Sequence, residues 1–357
     1  MTARSRTRTI LVLGLVFALV GAGVGPAVAA GTTMGGASTN QVDDCTFPVT
    51  ETDATGTEVT IEEEPETVVT LGPSAAQTMW EIGAEEKVIG VSQYSSYLDG
   101  ADSRTNVSGA DQSFVVSETV VDLEPDLVLA PSIIPDETVE KLRDAGLTVY
   151  KFDAATSLAS VEEKTRLTGQ LVGECEGADQ RATEMNESLA AIDDAVADAD
   201  SPRVLYVMGG GYSAGEGTFI DDIIESAGGT NVAAEAGIEG YAEINEEVLT
   251  EQDPEWIVTN SDIGSVPETA GYNSTTAVET GQVIVVNADY VSQPAPRTVT
   301  IVERLAATFH GDRYDGATPY DTMEPATTEV TTATTPGMGI PVAVLAIALV
   351  GLSLRRE

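Results

Sequence analysis

The sequence predicts an α/β protein of two lobes, each built on a parallel-sheet core, joined by one long α-helix. Three observations carry this. From Val59 onward, short β-branched runs alternate with amphipathic stretches; residues 156–200 break that rhythm with a Pro-free run at helical spacing; and the alternation resumes after Pro202. Strands separated by helices close into parallel sheets covered by those helices.

In the first lobe, ETVVTL reads as a strand that runs into Gly72-Pro73-Ser74. AAQTMWEIGA follows as a helix, then KVIGVS, PDLVLA and LTVYKF as strands. Between the last two, PDETVEKLRDAG reads as a helix with Asp136 and Glu137 in its first turn and Gly146 at its end, the charge and glycine placement that helix termini favour. About 40 helical residues in the 156–200 stretch would span about 60 Å, with Gly169, Gly173 and Gly177 as points of bending. In the second lobe, RVLYVM, PEWIVTN and QVIVVNA read as strands, TFIDDIIESAGG as a helix and PRTVTIVERLAATFH as the closing helix. The expected plan is a first lobe over 59–155, an interlobe helix over 156–200 and a second lobe over 201–317, preceded by an extension over 31–58.

Both ends of the chain carry processing signals. Arg4, Arg6 and Arg8 precede an apolar run from Ile10 to Val24, and small residues close at Ala27-Val28-Ala29-Ala30; this is the pattern of a secretory signal peptide over 1–30. Residues 318–335 are rich in Thr and Pro, a composition suited to an extended stalk. After Pro336-Gly337-Met338-Gly339 comes an apolar stretch from Ile340 to Leu354, then Arg355-Arg356. That stretch reaches about 22 Å as a helix, short of the hydrocarbon core, so residues 336–357 read as a sorting segment that holds the C-terminus at the membrane. The tail resembles the Pro-Gly-Phe sorting signal of halophilic archaea, with Met338 where that signal has Phe.

Acids outnumber cations 58 to 17, for a net charge of −41, and only four cations are Lys: Lys87, Lys141, Lys151 and Lys164. Phosphate backbones are gripped by clustered basic surface, so nucleic acid is excluded as a partner. Removing the two terminal signals takes away five Arg and one Glu and leaves 12 cations against 57 acids, −45. A dispersed carboxylate coat suits strong brine, where screening shortens self-repulsion to a few Å.

Catalytic and metal chemistry find little support. There is no G-x-S-x-G or HExxH, and the single His is His310, near the end of the last helix. Cys45 and Cys175 read as a disulfide in an exported protein, with two free thiols as the alternative. Neither has the second ligand a metal site needs, and no cofactor is expected. GGGYSAGEG, Gly209–Gly217, lacks the GK[ST] ending of a phosphate loop, and Glu216 would repel phosphate; its glycines suit close backbone approach to a ligand or a mobile rim. Trp80 and Trp256 fall within helix and strand patterns and read as core. Asn106, Asn186 and Asn273 open N-x-S/T sequons.

The run VVTLGPSAAQTMWEIGAEEKVIGVSQYSSY, then LEPDLVLAPS, then RVLYVMGGGYSAGEGTFIDDIIESAGGTN, then DPEWIVTNSD resembles the helical-backbone substrate-binding proteins of ABC importers that capture cobalamin and ferric siderophores. The similarity spans about residues 59–312. It implies a monomer that binds a metal chelate between two lobes and hands it to an ABC permease, with cobalamin favoured over a ferric siderophore and haem a further possibility. Because ligands bind at the carboxyl ends of parallel strands, the candidate contacts are Pro73, Ser74, Tyr94, Tyr97, Ser132, Gly210, Tyr212, Tyr290 and Arg297. Tyr offers flat apolar area with a polar rim, suited to a broad amphipathic chelate. The resemblance also implies permease docking through one carboxylate per lobe: Asp222, beside Asp221, in the second, and Gln77 in the first, with Glu81 one turn on as its substitute. The competing reading is a stalked adhesion or envelope protein without a transport role.

Overall fold

The computed structural model describes residues 45–109 and 115–314. The expected signal peptide, the start of the extension, the stalk and the C-terminal sorting segment lie outside the described residues.

The chain opens on an antiparallel hairpin, β1 (Val49–Thr52) with β2 (Glu58–Ile61), which straddles the boundary expected at residue 59. Its turn is held by Asp53, whose carboxylate accepts from Thr55, from the Lys151 backbone N–H and from Arg143. Burial pushes that carboxyl up, but the hydrogen bonds from Thr55, Arg143 and Lys151 outweigh it and hold the pKa below the usual value. The hairpin is thereby fastened to the first lobe.

That lobe is a five-stranded, all-parallel sheet of β3 (Val68–Thr70), β4 (Val88–Val91), β5 (Thr105–Asn106), β6 (Leu127–Ala130) and β7 (Val149–Lys151), in spatial order β5-β4-β3-β6-β7. Val68, Val69 and all of Leu127–Ala130 have no exposed surface, as continuous apolar strands covered on both faces should. Helix α1 (Pro73–Glu81) supplies Met79 to one face, while α2 (Ser117–Asp122) and α3 (Asp136–Asp144) supply Val120, Val139 and Leu142 to the other.

The connection between the lobes departs from a single helix. Two helices, α4 (Leu158–Val172) and α5 (Cys175–Val196), meet at Gly173, whose φ of 81° is left-handed and ends α4; a side chain there would be strained. The chain folds back at this point. Leu158 and Ile192 share the second lobe's core, whereas Leu171, Val172 and Ala178 share the first's, so α4 runs toward the first lobe and α5 returns. The two helices approach closely enough at Gly169 that an added Cβ would stand 2.3 Å from that of Ala178. The expected glycines thus act by ending one helix and admitting the next, and α5, of 22 residues, about 33 Å, is the bridge. Cys45 and Cys175 form a disulfide that ties the N-terminal segment to the start of α5.

The second lobe is a four-stranded parallel sheet, β8 (Arg203–Val207), β10 (Thr230–Asn231), β12 (Trp256–Asn260) and β13 (Val283–Val286), in order β10-β8-β12-β13. A second, antiparallel pair, β9 (Tyr212–Ala214) with β11 (Tyr241–Glu243), stands beyond the end of β8. Helices α6 (Phe219–Ser226), α7 (Val232–Glu235), α8 (Glu246–Gln252), α9 (Ala270–Asn273), α10 (Thr276–Thr280), α11 (Ala288–Val291) and α12 (Thr298–Phe309) surround the sheet. One face is packed by α6 and α12 with the helix pair, through Ile223, Val302, Leu305, Met185 and Ile192; the other by α7 to α10, through Val232, Leu249, Tyr272 and Ala277.

Candidate ligand-binding cleft

The carboxyl ends of the two sheets meet at a packed junction. Gln77, in α1 just past β3, is fully buried. Its Nε2 donates to Tyr97 Oη at 2.8 Å and, across the lobes, to the Asp289 carbonyl at 3.3 Å, while its Oε1 accepts from the Arg297 backbone N–H at 3.0 Å. The rings of Tyr97 and Tyr290 lie edge to face with centroids 6.4 Å apart, and the Arg297 guanidinium stands 5.5 Å from the Tyr290 centroid, both favourable geometries. Burial raises the Tyr97 phenol well above its usual range, so it stays protonated.

Glu81 completes the junction. Its carboxylate accepts from Arg297 Nε at 2.7 Å and stands 2.9 Å from Arg181 Nε of α5, an ion pair without hydrogen-bond alignment. All three side chains are at most 17% exposed. One carboxylate therefore links the first lobe, the bridging helix and the start of α12. Lys164 of α4 adds a bond to the Pro294 carbonyl just before α12.

Above the junction the loops open. Among the described residues, five large apolar side chains remain exposed: Tyr94, Ile133, Tyr212, Tyr241 and Ile263. All five lie at the carboxyl-end side of the sheets. Tyr94 follows β4, Ile133 follows β6, Ile263 follows β12, and Tyr212 and Tyr241 open β9 and β11, at opposite ends of that antiparallel pair. Scattered exposed apolar residues need no explanation, but a set confined to one end of two facing sheets marks a binding surface. Gly209 to Gly211 make the turn from β8 into β9, with Gly210 at a φ of 74°, and Ile263 packs against Gly209.

The anticipated contacts divide between these two levels. Tyr94, Tyr212 and Gly210 are exposed at the rim and Ser132 is half-buried beside Ile133. Tyr97, Tyr290 and Arg297 lie in the junction beneath it, and Pro73 and Ser74 are buried in the first turn of α1. Trp80 and Trp256 pack as expected; Trp80 Nε1 donates to the Asp99 carbonyl, and Trp256 lies 5.7 Å from Phe309, centroid to centroid. The docking expectation is corrected at two positions. Gln77 is buried and Glu81 is half-buried, and both are bonded between the lobes, because the α1 face that carries them turns toward α11 and α12. Asp222 is half-buried, with Oδ2 accepting from the Leu158 N–H at 2.6 Å; it anchors the first turn of α4, where a helix end attracts an anion. Asp221 is buried and accepts from Asn231.

Ile133, Tyr241 and Ile263 escaped the sequence reading. Ile263 had a visible signal, a lone large apolar residue in the polar turn Asn260-Ser261-Asp262-Ile263-Gly264 directly after a strand. Ile133 stands beside fully buried Ile134, and nothing local separates their roles.

Residues 68–290 match the family described as periplasmic binding protein. This chain belongs to the periplasmic binding protein family. A cobalamin-binding protein of Halobacterium salinarum is 44% identical over 330 residues, covering 87% of this chain and 89% of that one. An uncharacterized ABC transporter substrate-binding lipoprotein of Bacillus subtilis, YvrC, is 28% identical over 279 residues, 75% of this chain and 87% of that one. The crystal structure of the periplasmic vitamin B12-binding protein BtuF of Vibrio cholerae aligns with a TM-score of 0.60 at 23% identity, covering 69% of this chain and 96% of that one, a likeness of fold. Membership implies an exported binding protein, and among the described residues no helix is long and apolar enough to cross a membrane.

Proposed function

We propose that this periplasmic binding protein captures a corrinoid of the cobalamin type outside the cell and delivers it to an ABC permease. The observation that carries the reading is the set of five exposed apolar side chains at the mouth between the sheets, three of them Tyr. A corrin ring is broad and flat, and aromatic and aliphatic faces on both sides can cover it while phenol hydroxyls meet its polar edge. The likeness to the Halobacterium cobalamin-binding protein supports the choice of corrinoid over ferric siderophore. The mature chain is exported, stalked and held at the membrane by its C-terminus, and its acidic surface keeps it soluble in concentrated salt. Permease contact then falls chiefly to the second lobe, around Asp222.

Titrating the purified protein with cyanocobalamin, a ferric siderophore panel and haemin tests this. Cyanocobalamin should quench Tyr and Trp fluorescence and raise the melting temperature, since a ligand at 100 times its Kd stabilises by about 2.7 kcal/mol. No response to cyanocobalamin, with a response to one of the others, would replace the corrinoid by that ligand.

A further inference from the structure

The mouth of the cleft has a charge pattern that goes beyond its shape. Among the described residues, no Lys, Arg or His stands in the four residues that follow any strand of either parallel sheet. Lys151, the last residue of β7, is paired with Asp136, and Arg297 is bound to Glu81 in the junction. Carboxylates do occupy these loops. Asp153 follows β7 and is exposed, Asp262 follows β12, and Asp289 follows β13.

Asp262 stands exposed at the rim, and Asp289 is half-buried nearer the junction. β12 and β13 are adjacent and in register, with Asn260 opposite Val286, so their following turns lie side by side. The turns are also bonded to each other, the Ala288 N–H donating to Ser261 Oγ. The Asp289 carbonyl is the acceptor for Gln77, which puts this residue at the floor, while Asp262 directly precedes exposed Ile263. Burial raises the Asp289 carboxyl above the ordinary value, and the charge of Asp262 adds to that. The two carboxylates therefore already repel one another, and the turns that carry them hold no Lys, Arg or His.

We propose that Asp262 and Asp289 act as a charge filter, admitting chelates whose periphery is neutral, such as a ring bordered by carboxamides, and turning away chelates that carry carboxylates. The proposal rests on the reading of this cleft as a corrinoid site. A ligand carboxylate seated within several Å of either Asp, in partly desolvated surroundings, meets a repulsion large enough to weaken binding about tenfold or more. A porphyrin with propionates and an anionic siderophore would be excluded on the same ground.

The test uses one ring in two charge states: cyanocobalamin, with its peripheral amides intact, and the acid derivatives made by hydrolysing those amides. The native protein should bind the amide form at least about tenfold more tightly than a tricarboxylate. In the Asp262→Asn/Asp289→Asn double variant that ratio should fall toward one. The native protein supplies a second readout that does not depend on the variant folding: the ratio should shrink as salt rises from about 0.1 M, where the screening length is about 10 Å, to multimolar concentration. Equal affinities for both forms in the native protein at low salt would overturn the filter and leave the corrinoid reading intact. A ratio that survives both the double substitution and high salt would also overturn it. Failure of the native protein to bind either form would overturn the corrinoid reading, and the filter with it.

Discussion

At the junction the polar and charged side chains are buried among partners, whereas a few residues away along the same loops large apolar side chains stand in water. Gln77, Glu81 and Arg297 reach across the lobes and bond to one another's backbone or side chains. Tyr94, Ile133, Tyr212, Tyr241 and Ile263 keep exposed surface. The difference separates two tasks. Burying charge without loss requires a partner in place, so the junction is arranged by folding and fixes how the lobes meet. Exposed apolar surface gains by being covered, so the rim is left for a ligand to complete. Substitutions should therefore act on stability below and on affinity above.

The largest effect on stability should come from Glu81→Ala, which removes the carboxylate that Arg181 and Arg297 share where solvent reaches little of either guanidinium. A loss of about 3 kcal/mol is expected, read as a lower denaturant midpoint; a change under about 0.5 kcal/mol would mean that the lobes are held elsewhere. Gln77→Leu should follow, at about 2 kcal/mol, since it removes three hydrogen bonds and leaves the Asp289 carbonyl and Arg297 N–H to find other partners. An unchanged melting temperature in that variant would argue against the bridging role of the amide.

Lys164 provides a junction test through pH. Burial pushes its amine down from 10.5 to about 8. Between those values the unfolded chain holds the proton that the folded chain has released, so stability should rise as pH increases through that window and fall as pH returns to 8. Lys164→Met should flatten this slope in unfolding curves taken across the window; an identical slope would assign it to other groups. The smallest effects on stability belong to the rim. Tyr212→Ala and Ile263→Ala should each stay within about 0.5 kcal/mol of the native protein while weakening cyanocobalamin about tenfold in equilibrium titration. Loss of stability with unchanged affinity would reverse the division of roles.

Several features were legible in the sequence because their causes are local. Apolar strand runs such as LVLA require cover on both faces wherever they occur, and alternation with helices makes the sheets parallel. The disulfide partners were legible by elimination, with two Cys in an exported chain. The sequence offers Gly173 as a point of bending, but a glycine allows a left-handed φ without demanding it. Whether the helix bends or folds back depends on whether α4 and α5 have surfaces to pack, which is where Gly169 against Ala178 enters. Gln77 was the least legible residue. In sequence it is a polar position on an amphipathic helix, suited to solvent or to a partner protein, and its actual partner at Asp289 lies 212 residues away.

By itself, then, the sequence determined the two sheets, their strand ends and hence the edge where a ligand belongs, because short-range periodicity and the chemistry of turns act within a few residues. Only the tertiary structure decided which residues at that edge face one another and which face solvent. Two loops from separate lobes acquire a common interior only when α5 sets their approach, and burial then converts Gln77, Glu81 and Arg297 from surface groups into a bonded junction. The rim above it, with exposed Tyr241 and with exposed Ile263 directly after Asp262, is the part that the approach leaves uncovered.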